Sequence, residues 1–406
     1  MKFILLFVLA FASPGSAQRR RIQSDLFETD LSPSKSNFPS RAPSDEPSKS
    51  VEPSEGPSEI PVSAPAPDIF DPNSPRATLN AARDAIIEVV NHDKLLAYKF
   101  VRLGFHDCVG GCDGCVDLLD PDNKGLDVAI TALEDVVTNF TKNGITRADI
   151  WAYSAMLYAD MNKAEEVEFL FDFYGRPTCE MLNSRCFNAL RVEVPCSSTR
   201  GPFRAMPSPN LDTRGILDYF DRTFGLTPQE TVALMGAHSI GTVTQANSGF
   251  DGDGWDSDKG VLDNDYYKKL VGGNSSSAKM SDLVNVSPIW NRRRIINVGT
   301  GSGAPNRFQW SQNGKVMVNS DMALVRDFSG KIGPNGKIIC TFRGQFACPA
   351  ATQTIRFMAA YRNDQNLWLN NFRDVYTDML NYPYITGGAC PGVNLCLITT
   401  FPTHPS

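Results

Sequence analysis

Phe100-Val-Arg-Leu-Gly-Phe-His-Asp-Cys108 is the stretch on which the reading of this chain turns. Arg102 and His106 stand four residues apart. On a helix their side chains leave one face, a turn apart. Phe105 precedes the histidine and Asp107 follows it. A base, a cation and an aromatic wall on one rigid element suit acid–base work on a small polar molecule, with charge stabilisation alongside. The bland alternative is an amphipathic helix with a surface arginine and a core histidine. The rest of the chain decides between them.

The chain has 406 residues, 42% of them hydrophobic, and a net charge of -6, so it can bury a large core, and its acidity argues against nucleic acid as a partner. It holds only four histidines, His92, His106, His238 and His404. Residues 1–17 read as a secretory signal peptide: Lys2, an apolar run over Phe3 to Ala12, and Gly15-Ser16-Ala17 as cleavage site. That run is too short to span a bilayer and no later one qualifies, so a secreted chain with no membrane partner is expected. Ten cysteines in an exported chain point to disulfides more than to metal. Asn139, Asn274 and Asn285 begin glycan acceptor triplets.

Residues 18–68 are a different polymer, with repeated Pro-Ser units, charges of both signs and few aromatics. Such a segment buries too little apolar area to offset its ordering entropy, and reads as a disordered arm. From 69 to 400 the composition is globular. Helical periodicity covers Thr78–His92, Asp93–Asp107, Leu126–Phe140 and Asp149–Ala159. Thr227-Pro-Gln-Glu230 is a capping box with proline at the first helical position, opening a helix that runs to His238. Further helices are expected at Asp263–Val271, Asp321–Asp327, Pro349–Arg362 and Leu367–Leu380. Cys179–Pro209 reads as a stapled loop region. Small β pieces are expected at Phe308–Met317 and Lys337–Phe342, in a domain that is mainly α.

Gly236 and Ala237 precede His238 and would let a flat, bulky group approach. A histidine so placed fits a haem ligand, and Asp321 offers the carboxylate that would hold its far N–H. Three segments, Arg102 to Cys108, Ala233 to Gly241 and Ser320 to Asp327, resemble the distal, proximal and hydrogen-bonding motifs of the plant, fungal and bacterial haem peroxidase superfamily. They come in the family's order, and the resemblance covers about 69–391. It implies a two-lobed, all-helical fold with haem b between the lobes. It also implies a monomer whose partners are hydrogen peroxide and a small reducing substrate. By the same resemblance His106 is the distal acid–base residue, Arg102 stabilises the departing oxygen, Asn123 accepts the distal histidine N–H, Phe105 walls the pocket, and His238 ligates the iron with Asp321 behind it.

The resemblance further implies two calcium sites. Asp107, the Gly111 carbonyl, Asp113 and Cys115 fall on the distal one, where Cys115 stands in place of the usual serine. Ser239, Asp256, Asp258, the Val261 carbonyl and Asp263 fall on the proximal one, an oxygen-rich set suited to a hard cation. Cys108 and Cys112 resemble the plant enzymes' disulfide in that loop. Read without the family, His106 to Cys115 would also pass for a small zinc site.

Trp255 departs from the secreted members, which carry phenylalanine there, and is similar to the intracellular ascorbate and cytochrome c peroxidases. Manganese peroxidases place acids where Leu95 and Lys99 stand. Lignin peroxidases place a surface tryptophan at Ala233, and ascorbate peroxidases an arginine at Asn247. What is left is oxidation of small phenolic or aromatic donors at the haem edge. The rival reading is a non-catalytic extracellular haem-binding or matrix protein on the same fold, which would not need Arg102, His106 and Asn123 together.

Overall fold

The computed structural model describes residues 75–171, 206–250, 252–271, 307–332 and 347–385, with short pieces at 173–176, 178, 185–187, 193–195, 291–295, 338–341 and 396–397. The expected signal peptide and Pro-Ser arm, with Asn274 and Asn285, lie outside the described residues. Helices dominate, as expected. The first four are α1 (Pro75–His92), α2 (Lys94–Gly110), α3 (Asp127–Phe140) and α4 (Arg147–Met161). After them come α5 (Thr213–Phe224), α6 (Pro228–Met235), α7 (Gln245–Ser248), α8 (Asp265–Leu270), α9 (Asn319–Met322), α10 (Ile355–Asn363) and α11 (Gln365–Ile385). None among the described residues is long and apolar enough to cross a membrane.

Helix α2 starts where Asp93 Oδ1 accepts the Leu96 N–H at 2.9 Å. It lies against α4, whose residues 148–160 are all buried. The approach is close at Gly104, where a Cβ would come within 2.9 Å of both Ala155 Cβ and the Tyr376 hydroxyl. That hydroxyl donates to the Val101 carbonyl at 3.0 Å and ties α2 to α11. So the helix bearing Arg102 and His106 is clamped on two sides.

Helix α6 opens on the expected capping box: Thr227 Oγ1 accepts the Glu230 N–H, and Glu230 returns a carboxylate to the Thr227 N–H at 2.7 Å. It does not run on to His238 as α-helix. It tightens at Gly236 into a 3₁₀ turn, Gly236–Ser239. Side chains also bond two of its carbonyls there. The Tyr267 hydroxyl donates to the Val232 carbonyl at 2.7 Å, and the Trp368 indole to the Ala233 carbonyl at 3.1 Å. The Gly236 N–H then reaches back only three residues, to the Ala233 carbonyl.

A three-stranded antiparallel sheet joins β1 (Asn291–Ile295), β2 (Arg307–Gln312) and β3 (Lys315–Met317). Asn313 and Gly314, both at positive φ, form the two-residue turn between β2 and β3. This hairpin fills the expected β piece and leads directly into α9. Of the other expected strand, Lys337–Phe342, the described residues 338–341 make only the isolated bridges Ile332–Ile338 and Thr341–Ala347. The Cys340–Cys348 disulfide ties that segment into a short covalent loop instead. Helix α5 was not anticipated. Asp212 caps it, and Gly225 at positive φ ends it. Its Ile216, Phe220 and Phe224 are buried.

Candidate active site

A cavity of about 350 Å³ separates α2 from the His238 turn. His106, Arg102 and Phe105 line it from one side and His238 from the other. Leu234, Ile240, Val243, Phe250 and Val318 supply much of its apolar wall. Phe105 is braced by α5, with its ring 6.1 Å from Phe220 and 6.2 Å from Phe224. The unanticipated helix thus buttresses the wall of the site. Asp212 before it, and apolar residues at i, i+4 and i+8, were the signal in the sequence.

His106 Nδ1 stands 2.7 Å from Asn123 Oδ1. Asn123 Nδ2 donates to the Asp117 carbonyl at 2.8 Å, so its oxygen must be the acceptor toward the histidine. His106 therefore carries its proton on Nδ1 and leaves Nε2 as a bare lone pair. Burial first, and then the Arg102 charge, lower the imidazole pKa to about 3, against a smaller opposing effect of the Asn123 bond. The group is a neutral base at ordinary pH. Arg102 donates from Nη2 to the Asp122 carbonyl at 2.7 Å and from Nη1 to the Lys124 carbonyl at 3.2 Å. It grips the backbone on both sides of Asn123. Burial lowers its pKa to about 10, and it remains charged at neutral pH. Lys99, which reaches the Gly125 carbonyl at 3.4 Å, is likewise lowered by burial and by Arg102. A cation thus sits where a manganese site would need a carboxylate.

His238 Nδ1 meets Asp321 Oδ1 at 2.8 Å. Asp321 is fully buried, and its Oδ2 accepts the Val318 N–H at 2.7 Å, fixed by the hairpin that precedes it. The carboxylate holds the proton of His238 on Nδ1 and leaves Nε2 for the cavity. Trp255 stacks flat on the imidazole, with 4.1 Å between centroids and 1° between planes. Asp321 accepts from His238, Tyr266 and Val318, and among the described residues the Trp255 indole is not one of its donors. Haem fits these residues: two imidazoles, each with Nδ1 engaged and Nε2 open, flank one apolar cavity.

The calcium sets fare unequally. Around the proximal one, Ser239 and Asp256 are each 1% exposed, and Ser239 Oγ and both Asp256 carboxylate oxygens are buried with no hydrogen-bond partner. Burial first, and then Asp263 and Asp265, raise the Asp256 pKa to about 8. Such orphaned oxygens fit a hard cation. Asp258 is exposed with its Oδ1 on the Gly260 N–H, and Asp263 Oδ1 caps the Asp265 N–H. Among the described residues no three His, Cys, Asp or Glu side chains converge as they would around an ion. Any proximal ion would therefore lean on Ser239, Asp256 and backbone oxygen such as that of Val261.

At the distal set Asp107 and Asp113 are buried together, and Asp107 is raised well above its ordinary pKa by burial and then by Asp113. Gly111 caps α2 there at positive φ. Cys115 corrects the expectation. Its sulfur is in a disulfide and receives Arg147 Nη2 at 3.0 Å, so it cannot act as a ligand. Cys108 and Cys112 are bonded to each other, which leaves neither thiolate for zinc.

Residues 82–331 match the model of the peroxidase family. A "Putative heme-binding peroxidase" of Yarrowia lipolytica is 28% identical over 249 residues, covering 58% of this chain and 69% of the relative. One of the same name from Candida albicans is 24% identical over 261 residues, covering 60% and 74%. The mitochondrial cytochrome c peroxidase of Candida albicans is 28% identical over 153 residues, covering 38% and 36%. The family match spans both histidines, Asn123 and Asp321, the residues that converge on the cavity, and the chain belongs to the peroxidase family as a haem-dependent peroxidase.

Proposed function

We propose that this enzyme acts outside the cell as a monomer, reducing hydrogen peroxide with electrons from small phenolic or aromatic donors. The observation that carries the reading is the pair of oriented imidazoles, His106 on Asn123 and His238 on Asp321, on opposite sides of one cavity. Haem b, held through His238 Nε2, would supply the two electrons that reduce the peroxide. The chain's own residues handle the protons and the charge. His106 Nε2 takes a proton from one peroxide oxygen and returns it to the other, which leaves as water. Asn123 keeps Nδ1 protonated throughout. Arg102 puts a fixed positive charge beside the departing oxygen. Asp321 orients His238 and makes it a more basic ligand.

The disulfides Cys108–Cys112 and Cys340–Cys348 support the exported location. Lys99 in place of a carboxylate disfavours a metal-ion donor, which leaves small aromatic ones. A calcium ion at Ser239 and Asp256 would satisfy their orphaned oxygens. Absorption spectra of the purified protein before and after peroxide test the reading. A Soret band that shifts with peroxide is expected, and the His106→Leu protein should keep the band and lose the shift. No Soret band would end the haem reading, and a band indifferent to peroxide would favour a haem-binding protein without catalysis.

A further inference from the structure

We propose that Tyr266 is a redox-active residue of this enzyme, holding an oxidising equivalent on the proximal side while Asp321 holds its phenolic proton. Tyr266 is fully buried. Its hydroxyl donates to Asp321 Oδ1 at 2.9 Å, the same oxygen that receives His238 Nδ1 at 2.8 Å. Its ring stands edge-on to the His238 imidazole with centroids 6.0 Å apart. An oxidisable side chain is thus in contact with the proposed iron ligand and bonded to a carboxylate.

Three other oxidisable rings lie nearby, and their polar partners separate them from Tyr266. The Tyr267 hydroxyl and the Trp368 indole donate to backbone carbonyls of Val232 and Ala233. A carbonyl accepts a hydrogen bond but does not take up the proton, so oxidising either ring would leave a cation in a buried place, which is costly. Trp255 stacks on His238 but does not donate to Asp321. Among the described residues, Tyr266 is the one of the four seen to donate to a carboxylate.

The step balances within this pair of residues. Tyr266 gives one electron to the peroxide-oxidised haem that the peroxidase activity supplies. Its proton moves along the existing bond from the phenol oxygen to Asp321 Oδ1. What remains is a phenoxyl hydrogen-bonded to the carboxylic acid that took its proton, along the 2.9 Å contact the structure already holds. A one-electron donor later restores the electron, and the proton returns to the phenol. While Asp321 holds that proton it no longer offers His238 a carboxylate, so the charge-assisted support of the ligand is relaxed for the life of the radical.

The inference rests on the haem reading. The test is electron paramagnetic resonance of holoenzyme freeze-quenched after hydrogen peroxide. We expect a tyrosyl signal that narrows in protein grown on ring-deuterated tyrosine. It should gain a fluorine splitting when 3-fluorotyrosine replaces Tyr266 alone, persist in Trp255→Phe and vanish in Tyr266→Phe. The fluorinated protein keeps the hydroxyl and its bond, so the site can be identified even if Tyr266→Phe does not fold. A signal blind to tyrosine deuteration, one without fluorine splitting, or one that vanishes in Trp255→Phe would overturn the proposal. So would a Soret band that shifts with peroxide and no tyrosyl signal at all. A protein with no Soret band would instead overturn the haem reading beneath it.

Discussion

Asn123 holds His106 in one tautomer: its Oδ1 lies 2.7 Å from the imidazole Nδ1, and its Nδ2 is committed to the Asp117 carbonyl, so the amide cannot turn round. Asn123→Ala removes the acceptor and leaves the proton free to sit on either nitrogen. A partner that orients another residue is typically worth about 10- to 100-fold. The rate of peroxide consumption should fall by that order with the Soret band unchanged. Stopped-flow mixing measures it, and a rate equal to that of the unsubstituted enzyme would refute the role given to Asn123.

The same imidazole sets an acid limit. In the unfolded chain His106 takes a proton near pH 6.5; in the folded one it does so only near pH 3. The depressed value means the folded protein keeps a neutral base above pH 3 and loses it as pH falls through that value. Peroxide reactivity should therefore be level from pH 7 to about 4. The linked stability runs the same way: between pH 6.5 and 3 the unfolded chain binds a proton that the folded one does not, so stability drops as the pH falls. Rate and urea-denaturation profiles across this window check both. A rate that halves near pH 6.5 would show an ordinary histidine.

Arg102 has two duties in the structure, and its variants should separate them. Its charge faces the cavity, while Nη1 and Nη2 bridge the carbonyls of Lys124 and Asp122 around Asn123. Arg102→Lys keeps a charge but loses the two-pronged grip. Arg102→Ala loses both. Hydrogen bonds from charged groups contribute about 1.5 to 3 kcal/mol each, so both variants should unfold at lower denaturant. Only Arg102→Ala should lose the full effect on peroxide reduction, on the order of 100- to 1000-fold. Equal rates in the two variants would show that the charge contributes nothing.

How far the site could be read from sequence depends on how local each signal is. Arg102 and His106 share a helical turn, the Thr227 box is four residues long, and the β piece at Phe308–Met317 is one short segment. All three were legible from spacing. The pairing of His238 with Asp321 crosses 83 residues, and no periodicity predicts it. It was expected only because the motifs resemble a family. The early end of α6 was invisible for a related reason: its last carbonyls are shared with two side chains, Tyr267 and Trp368, from distant helices. Cys115 was assigned by its place in a motif, but a thiol's partner is fixed by the fold. Tyr266 carried no local mark at all, since its importance comes from Asp321.

Removing the proposed calcium should act through Ser239 and Asp256. Without an ion, Ser239 Oγ and both Asp256 oxygens are buried and unsatisfied, and Asp263 and Asp265 stand near enough to raise the Asp256 pKa. Ser239 adjoins His238, so the loss should reach the proximal turn. Chelator treatment should lower the unfolding midpoint and slowly bleach the Soret band, and added calcium should slow both. Asp256→Ala should make the protein indifferent to chelator. Metal analysis finding no calcium in active protein would overturn the assignment.

Gly236→Ala is the sharpest test of how the proximal turn is packed. Taken alone, the change should help: alanine in place of glycine in a helical segment gains about 1 kcal/mol, and Gly236 has an ordinary helical φ of -62°. Packing decides otherwise. A Cβ at 236 would press on both the Tyr267 hydroxyl and the Trp368 Nε1, closer than the 2.7 to 3.1 Å bonds those groups make to Val232 and Ala233. Neither ring is free to retreat, because both are fully buried. Overpacking of this kind costs about 1 to 3 kcal/mol, and losing one of the two hydrogen bonds adds about 1 kcal/mol. The sum exceeds the helical gain. Gly236→Ala should therefore unfold at lower urea than the parent, and the displaced turn, two residues from His238, should hold haem less tightly in transfer to a haem-scavenging globin. A variant as stable as the parent, with unchanged haem retention, would mean that the turn has slack the packing does not show.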